Sequence, residues 1–315
     1  MKKSFFVILL LLLAAAITVA GCGQKPAAEQ NVSGGIAVTD DNGRTVTLKG
    51  VPQRIVPLSA SFLEPLAKLD GKLAARVAAK TGICEKYKVL PEVGNVYNVN
   101  IEKVIAVQPD LVICYKGMND KFVHNFEENN IPVIVLEMRT YGQVKNTVNV
   151  LGKITGNEVK AEKLNKDMDE RIAAVRAKIP EESKRIAILH STSQSVTVQL
   201  EGSIAGSAAE LLGFTNIAAG SVPLENNSTA APYSLETLVA ANPDIIYITS
   251  MGKLETVQDA MLKSIGASPA WQSLAAVRSG HVYFLPQELF LLSPGIKYPQ
   301  AAEYMAKLAY PEKFE

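Results

Sequence analysis

Histidine, cysteine and tryptophan are all scarce in this 315-residue chain, and the shortages already exclude several functions. The three histidines, His124, His190 and His281, lie far apart, and no His-x-x-x-His or Cys-x-x-Cys spacing occurs, so a directly bound zinc or manganese ion has no ligand set. Catalytic signatures are missing too. There is no Gly-x-Ser-x-Gly elbow, no His-Glu-x-x-His and no Gly-x-x-x-x-Gly-Lys-Ser/Thr phosphate loop. His190 beside Ser191 is the one tempting pair for a hydrolase, but strand neighbours point to opposite faces. An enzyme is therefore not expected. Charge bias is also absent: 32 Lys and Arg stand against 31 Asp and Glu, which leaves no basic stripe for a nucleic acid.

What is present begins with an export signal. Lys2 and Lys3 precede an apolar run from Phe5 to Ala16 and then small residues, the layout of a secretory leader over 1–21 rather than of a core helix. A retained signal anchor is the plainer alternative. Val19-Ala20-Gly21-Cys22 resembles the bacterial lipobox, in which the Cys22 thiol is lipidated and becomes the new N-terminus. Such an anchor holds a protein at a membrane without spanning it. Residues 22–35 are small, polar and aperiodic, a flexible tether. The folded part is thus expected outside the cytoplasm, at the cell surface or in a periplasm. Of the other two cysteines, Cys114 ends an apolar strand and reads as a buried thiol, while a Cys84–Cys114 bridge stays open.

Beyond the tether, apolar strands alternate with helices, which makes the fold class α/β. Asp41-Asn42-Gly43 between alternating Val/Thr runs predicts a hairpin. A strand follows over Arg54–Leu58, ending where Ser59 can cap the helix FLEPLAKLD. A short strand at LAARVAAK, a helix from 101, the strand DLVIC, a helix near DKFVHNFEEN and the strand IPVIVLE complete an N-terminal lobe, placed at 36–155. From Glu158 to Ile179 there is no Pro or Gly, and Ala161, Leu164, Met168, Ile172, Val175 and Ile179 form one helical stripe. That is a rod of about 33 Å at ~1.5 Å per residue. It is expected over 156–180 as a single long helix joining two Rossmann-like lobes with a ligand cleft between them. The C-terminal lobe, 181–315, holds RIAILHS, VTVQL, the helix SIAGSAAELLGF, a helix near 255–264, the strand GHVYFLP and the closing helix YPQAAEYMAKLA.

One phrase occurs in both halves: IEKVIAVQPDLVIC from Ile101 and LETLVAANPDIIYI from Leu235. Each is a helix, a Pro-Asp breaker and a buried strand, with a glutamate at its second position, Glu102 and Glu236. Asn98 or Asn100 and Ser234 are good N-caps, which puts both carboxylates in first turns, where the helix dipole alone would favour them. Matched acids, one per lobe, also suit a pseudo-symmetric cationic partner.

These stretches, with RIVPLSASFLEPL, LPEVGNVYNVNIEKVIAVQPDLVI, APYSLETLVAANPDIIYI and WQSLAAVRSGHVYFLP, resemble the substrate-binding lipoproteins of ABC importers. The class in question, class III of the periplasmic binding proteins, captures iron-siderophores, haem and cobalamin. The resemblance implies that Glu102 and Glu236 dock onto arginines of a permease dimer driven by its ATPase. It also implies a monomer without a resident cofactor that carries an iron complex, a ferric siderophore first and haem or cobalamin as alternatives. Cobalamin asks for a broad aromatic cleft, and only Trp271 and nine phenylalanines are available.

Ligands of open α/β sheets bind beyond the C-terminal strand ends. Those loops carry Tyr97, Tyr115, Lys116, Arg139 and Tyr141 in the first lobe, and Met251 and Lys253 in the second, alongside Ser59, Ser61, Met118, the segment from His190 and Gln287 to Phe290. Cations and phenols suit a bulky anionic chelate, with Arg139 foremost, although a solvated surface arginine is the plain reading. In haem-binding members of the class the loops matching Tyr97 and Met251 supply axial ligands. A cleft-lining aromatic and a gap-filling methionine are the simpler roles for these two. A rigid bridge implies closure by only a few degrees.

Overall fold

The structure, a computed structural model, describes residues 35–79, 83–192, 194–291 and 294–314. The leader, Cys22 and the tether up to residue 34 lie outside them. The predicted hairpin is there: Gly43 takes φ 76°, and β1 (Ile36–Thr39) and β2 (Thr45–Leu48) pair antiparallel across it. Asp40 holds the turn, its carboxylate accepting from the N–H groups of Asn42 and Arg44 and from the Arg44 guanidinium at 2.7 to 3.0 Å.

Two separate sheets follow. The first is parallel, in the order β3-β4-β5, from β3 (Ile55–Pro57), β4 (Leu111–Tyr115) and β5 (Val133–Leu136). Every residue in these strands is buried, which is why they read as unbroken apolar runs. The second comprises β6 (Arg185–Ser191), β7 (Val196–Gln199), β8 (Thr215–Asn216), β9 (Ala230–Pro232), β10 (Ile245–Ser250) and β11 (Val282–Phe284). Its order is β11-β10-β6-β7-β9, with β8 paired to β6. β10 and β11 run parallel to β6, whereas β7 turns back antiparallel, as so short a connection requires.

Helices cover the sheets. Around the first lie α1 (Leu63–Lys68), α2 (Glu85–Lys88), α3 (Ile101–Ala106) and α4 (Val123–Glu127). Then come α5 (Tyr141–Thr155) and α6 (Glu158–Arg176). The rest are α7 (Ile204–Leu211), α8 (Leu235–Ala241), α9 (Leu254–Met261), α10 (Pro269–Gln272), α11 (Ala275–Arg278), α12 (Gln287–Phe290) and α13 (Tyr298–Ala309).

Strand residues alternate between two faces, and each sheet therefore serves two cores. Val56, Val112 and Val135 pack with Phe126 on one side of the first sheet, and Ala187, Ile246 and Ile248 pack with Trp271 on one side of the second. The opposite faces, represented by Ile55 and Ile113 and by Ile188 and Tyr247, share a single core with side chains of α5, α6, α7 and α13. The predicted stripe of α6 is in it: Ala161, Met168, Ile172 and Val175 are buried. The helix ends at Arg176, four residues before the expected limit at 180, and Ile179 joins the core from the turn beyond. It does not stand alone between the sheets, since it packs against α5 and α13. The α5–α6 approach is close: a Cβ on Gly152 would sit 2.4 Å from the Cβ of Ala161.

Two local expectations differ from the structure. LAARVAAK forms no strand over its described residues 73–79, only single bridges from Leu73 to Ile55 and from Arg76 to Glu92. Its alanines offer little of the branched surface a strand needs. Helix α5 has no counterpart among the predicted elements, yet its limits are written in the sequence. Thr140 and Gln143 form a reciprocal capping box, and Gly156 ends the helix at φ 66°. Cys84 and Cys114 are both free thiols; burial pushes the Cys114 pKa up to about 12, as expected for an inert core cysteine.

Candidate ligand cleft and docking acids

The repeated phrase folds the same way twice, and most of it is structural. Asn100 caps α3 by accepting from Lys103 N–H, and Ser234 caps α8 by accepting from Thr237 N–H. Both helices end on a left-handed residue before the proline, Gln108 at φ 47° and Asn242 at φ 40°. The two aspartates then have equivalent tasks. Asp110 accepts from the N–H groups of Gln53 and Arg54, at the entry to β3, and Asp244 accepts from Arg185 N–H, at the entry to β6. Only the glutamates are left without a task in the fold. Glu102 and Glu236 are exposed, and neither has an ion-pair partner among the described residues.

A cavity of about 160 Å³ lies where the C-terminal ends of both sheets come together. From the first sheet it takes Tyr115, the last residue of β4, with Met118 and Arg139. The second contributes His190 and Thr249 from β6 and β10, and Phe290 at the end of α12. Arg139 is the one charged side chain in this lining, and its guanidinium lies 3.4 Å from the Glu137 carboxylate.

The sequence placed His190 at a strand end among the cleft loops, and its environment is what gives it chemistry. His190 Nδ1 lies 2.9 Å from Thr249 Oγ1, which is also 3.2 Å from the Leu189 carbonyl. This contact orients the ring, and Nε2 has no partner among the described residues. Desolvation by burial also holds the imidazole pKa below its ordinary value, so the neutral form prevails. A neutral, oriented imidazole on a cavity wall is a ready metal ligand.

The structure distributes the other predicted contacts unevenly. Tyr115 and Arg139 line the cavity. Tyr97, Met251 and Lys253 are exposed, the first in the loop before α3 and the other two just past β10. Lys116 and Tyr141 are turned away from it. The Lys116 ammonium donates to the Asp41 carbonyl at 2.6 Å, and the buried Tyr141 donates to Asp169, which Lys145 also holds. Both follow strand ends, as sequence reasoning required, but anchors elsewhere decided where their polar tips go. Among the described residues no group of three His, Cys, Asp or Glu side chains could hold a metal ion, and no helix is long and apolar enough to cross a membrane.

Asn119, which the sequence did not single out, organises the first-sheet side. It is fully buried, accepts from Tyr115 N–H at 2.8 Å, and donates to the carbonyls of Leu58 and Val96 at 2.9 and 3.1 Å. One amide thus joins the ends of β3 and β4 to the loop that presents Tyr97. Replacing it, Asn119→Ala, leaves three buried backbone groups unpaired and should cost about 2–4 kcal/mol, read as a lower urea midpoint.

Two α/β sheets, one parallel and one mixed, whose strand ends meet over a cavity define a binding protein of the class the motifs resemble. The chain belongs to the periplasmic binding protein family, whose model matches residues 55–289. It is 22% identical over 262 residues, 82% of this chain and 88% of the relative, to the "High-affinity heme uptake system protein IsdE" of Staphylococcus aureus. The crystal structure of S. aureus IsdE complexed with heme superposes with a TM-score of 0.71, at 22% identity over 82% of this chain and 98% of that one. An ABC transporter substrate-binding protein from Listeria monocytogenes gives 0.73 at 23% identity, covering 81% and 98%. S. aureus SirA, solved with staphyloferrin B, gives 0.69 at 21% identity, covering 88% and 98%.

Proposed function

We propose that this chain is the extracytoplasmic receptor of an ABC importer, anchored through a lipid on Cys22, and that it captures an iron complex for a permease dimer and its ATPase. It binds and delivers, without catalysing a reaction, as a monomer of two α/β lobes (36–155 and 181–315) joined through the helix at 156–180. The observation that carries the cargo assignment is His190, which lines the cavity with Tyr115 and Met118 and has only its Nδ1 engaged among the described residues.

Haem suits that lining better than a ferric siderophore. A tris-catecholate complex is strongly anionic and calls for several cations, whereas Arg139 is the only one in the lining and is already beside Glu137. Ile204, Phe290 and Met118 give the lining an apolar side suited to a ring face, and Arg139 offers a partner to its carboxylates. The names of the relatives cover both kinds of cargo, IsdE with heme and SirA with staphyloferrin B. The siderophore reading keeps the support of Arg139 and Lys253. Tyr97 and Met251, both exposed, would supply further iron or ring contacts in the haem reading.

Titrating purified protein with haemin and with a ferric tris-catecholate separates the two. A Soret band that sharpens and shifts at one equivalent, with no tryptophan quenching by the catecholate, is expected. Quenching of Trp271 by the ferric chelate alone would reverse the order, and no response to either would sink the iron-complex reading.

A further inference from the structure

Tyr298 opens α13, is wholly buried, and sits where the elements of the two sheets touch. Its hydroxyl lies 2.9 Å from the Arg139 carbonyl, just past β5, and 3.0 Å from the Ile204 carbonyl, at the start of α7. One proton therefore serves two acceptors, one from each side, and both acceptor residues line the cavity. Ser207 extends the chain. It lies beside the Tyr298 phenol and accepts from Tyr141 N–H at 3.1 Å, while the rings of Tyr141 and Tyr298 pack 5.6 Å apart. Gln143 accepts from the N–H groups of Arg139 and Thr140, so the segment that carries Arg139 is held at both ends. Desolvation raises the Tyr298 pKa, and the phenol keeps its proton at every pH of interest.

We infer that Tyr298, through Ser207 and the Arg139 and Ile204 carbonyls, is a positioning residue that sets the width of the cavity and so selects cargo by size. The inference rests on the cleft reading above. A cavity whose walls share one hydrogen-bonded post is preorganised, and cargo need not draw on its own binding energy to order it. Without the post the walls sample several spacings, and apparent affinity falls in proportion to the competent fraction. A competent fraction of about one tenth lowers haemin affinity about tenfold and lets a cargo of different size compete.

Two variants, Tyr298→Phe and Ser207→Ala, test this in two arms. The first arm needs no cargo: amide hydrogen exchange of the free protein should accelerate at least tenfold over 139–142 and 204–208, with exchange in β4 and β10 unchanged. The second compares dissociation constants for haemin and a ferric tris-catecholate. The ratio between them should move toward one in both variants, a change that a general loss of stability does not produce. Folded variants with wild-type exchange in those segments and a wild-type ratio overturn the inference. So does an equal loss of affinity for both probes with exchange raised everywhere. If the wild-type protein binds neither probe, the cargo reading fails while the exchange arm still decides whether Tyr298 joins the two walls.

Discussion

Cells expressing Glu102→Ala together with Glu236→Ala should take up the iron complex at least about tenfold more slowly than wild-type cells, while the purified double variant keeps its cargo affinity. The asymmetry follows from the anatomy of the repeated phrase. Its caps, left-handed breakers and aspartates all serve the helices and the adjoining strands, whereas the two glutamates are exposed and unpaired. Exposed carboxylates contribute little to folding, but matched charges across an interface set orientation and speed encounter. Single variants should lie between, and Glu102→Lys with Glu236→Lys should be worse than alanine because like charges repel a cationic socket. Uptake measured with labelled cargo, beside equilibrium titration, checks both halves. Normal uptake in the double variant removes the docking role, and lost cargo binding moves the carboxylates to the cleft or the fold.

His190→Ala should weaken haemin binding by roughly a hundredfold, equivalent to about 2.7 kcal/mol, and shift the Soret maximum of whatever still binds. Thr249→Val should give a smaller loss, since it removes the hydroxyl that orients the imidazole through Nδ1 and leaves the ring in place. The pH dependence has a definite sign. Burial holds the folded-state pKa of His190 below the 6.5 of an ordinary histidine. Between those two values the unfolded chain binds the extra proton and the folded chain does not, so stability rises with pH across that window and is lost as pH falls through it. Below both values there is no further change from this group. Haemin affinity should follow with the same sign, because the imidazolium has no lone pair for iron. His190→Gln should flatten that part of both profiles in parallel urea and Soret titrations. An unchanged haemin affinity and profile in His190→Ala would take the iron away from this residue.

Much of the architecture was legible because it is local. The hairpin at Gly43, the buried strands and the stripe of α6 follow from turn chemistry and apolar periodicity, which act over a few residues. Helix α5 was equally local, in the Thr140–Gln143 box, the apolar spacing Tyr141, Val144, Val148, Leu151 and Ile154, and Gly156, although the predicted elements omit it. LAARVAAK shows the opposite error, an apolar run whose alanines lack the bulk to make a ladder. The site was harder to read. Lys116 and Tyr141 follow strand ends, yet the Asp41 carbonyl and Asp169 capture their polar groups. His190 was placed on a cleft loop, but its contact with Thr249, 59 positions away, could not be read there.

The amino-acid order by itself determined the α/β class and the twice-written helix–Pro-Asp–strand unit with its two exposed glutamates. Each of these is encoded by short-range chemistry that needs no distant partner. Only tertiary structure decided that His190, Tyr115 and Arg139 share one cavity, and that Tyr298 ties its walls. The direction of a polar side chain is set by whichever donor or acceptor the fold brings within about 3 Å, and those partners lie far away along the chain.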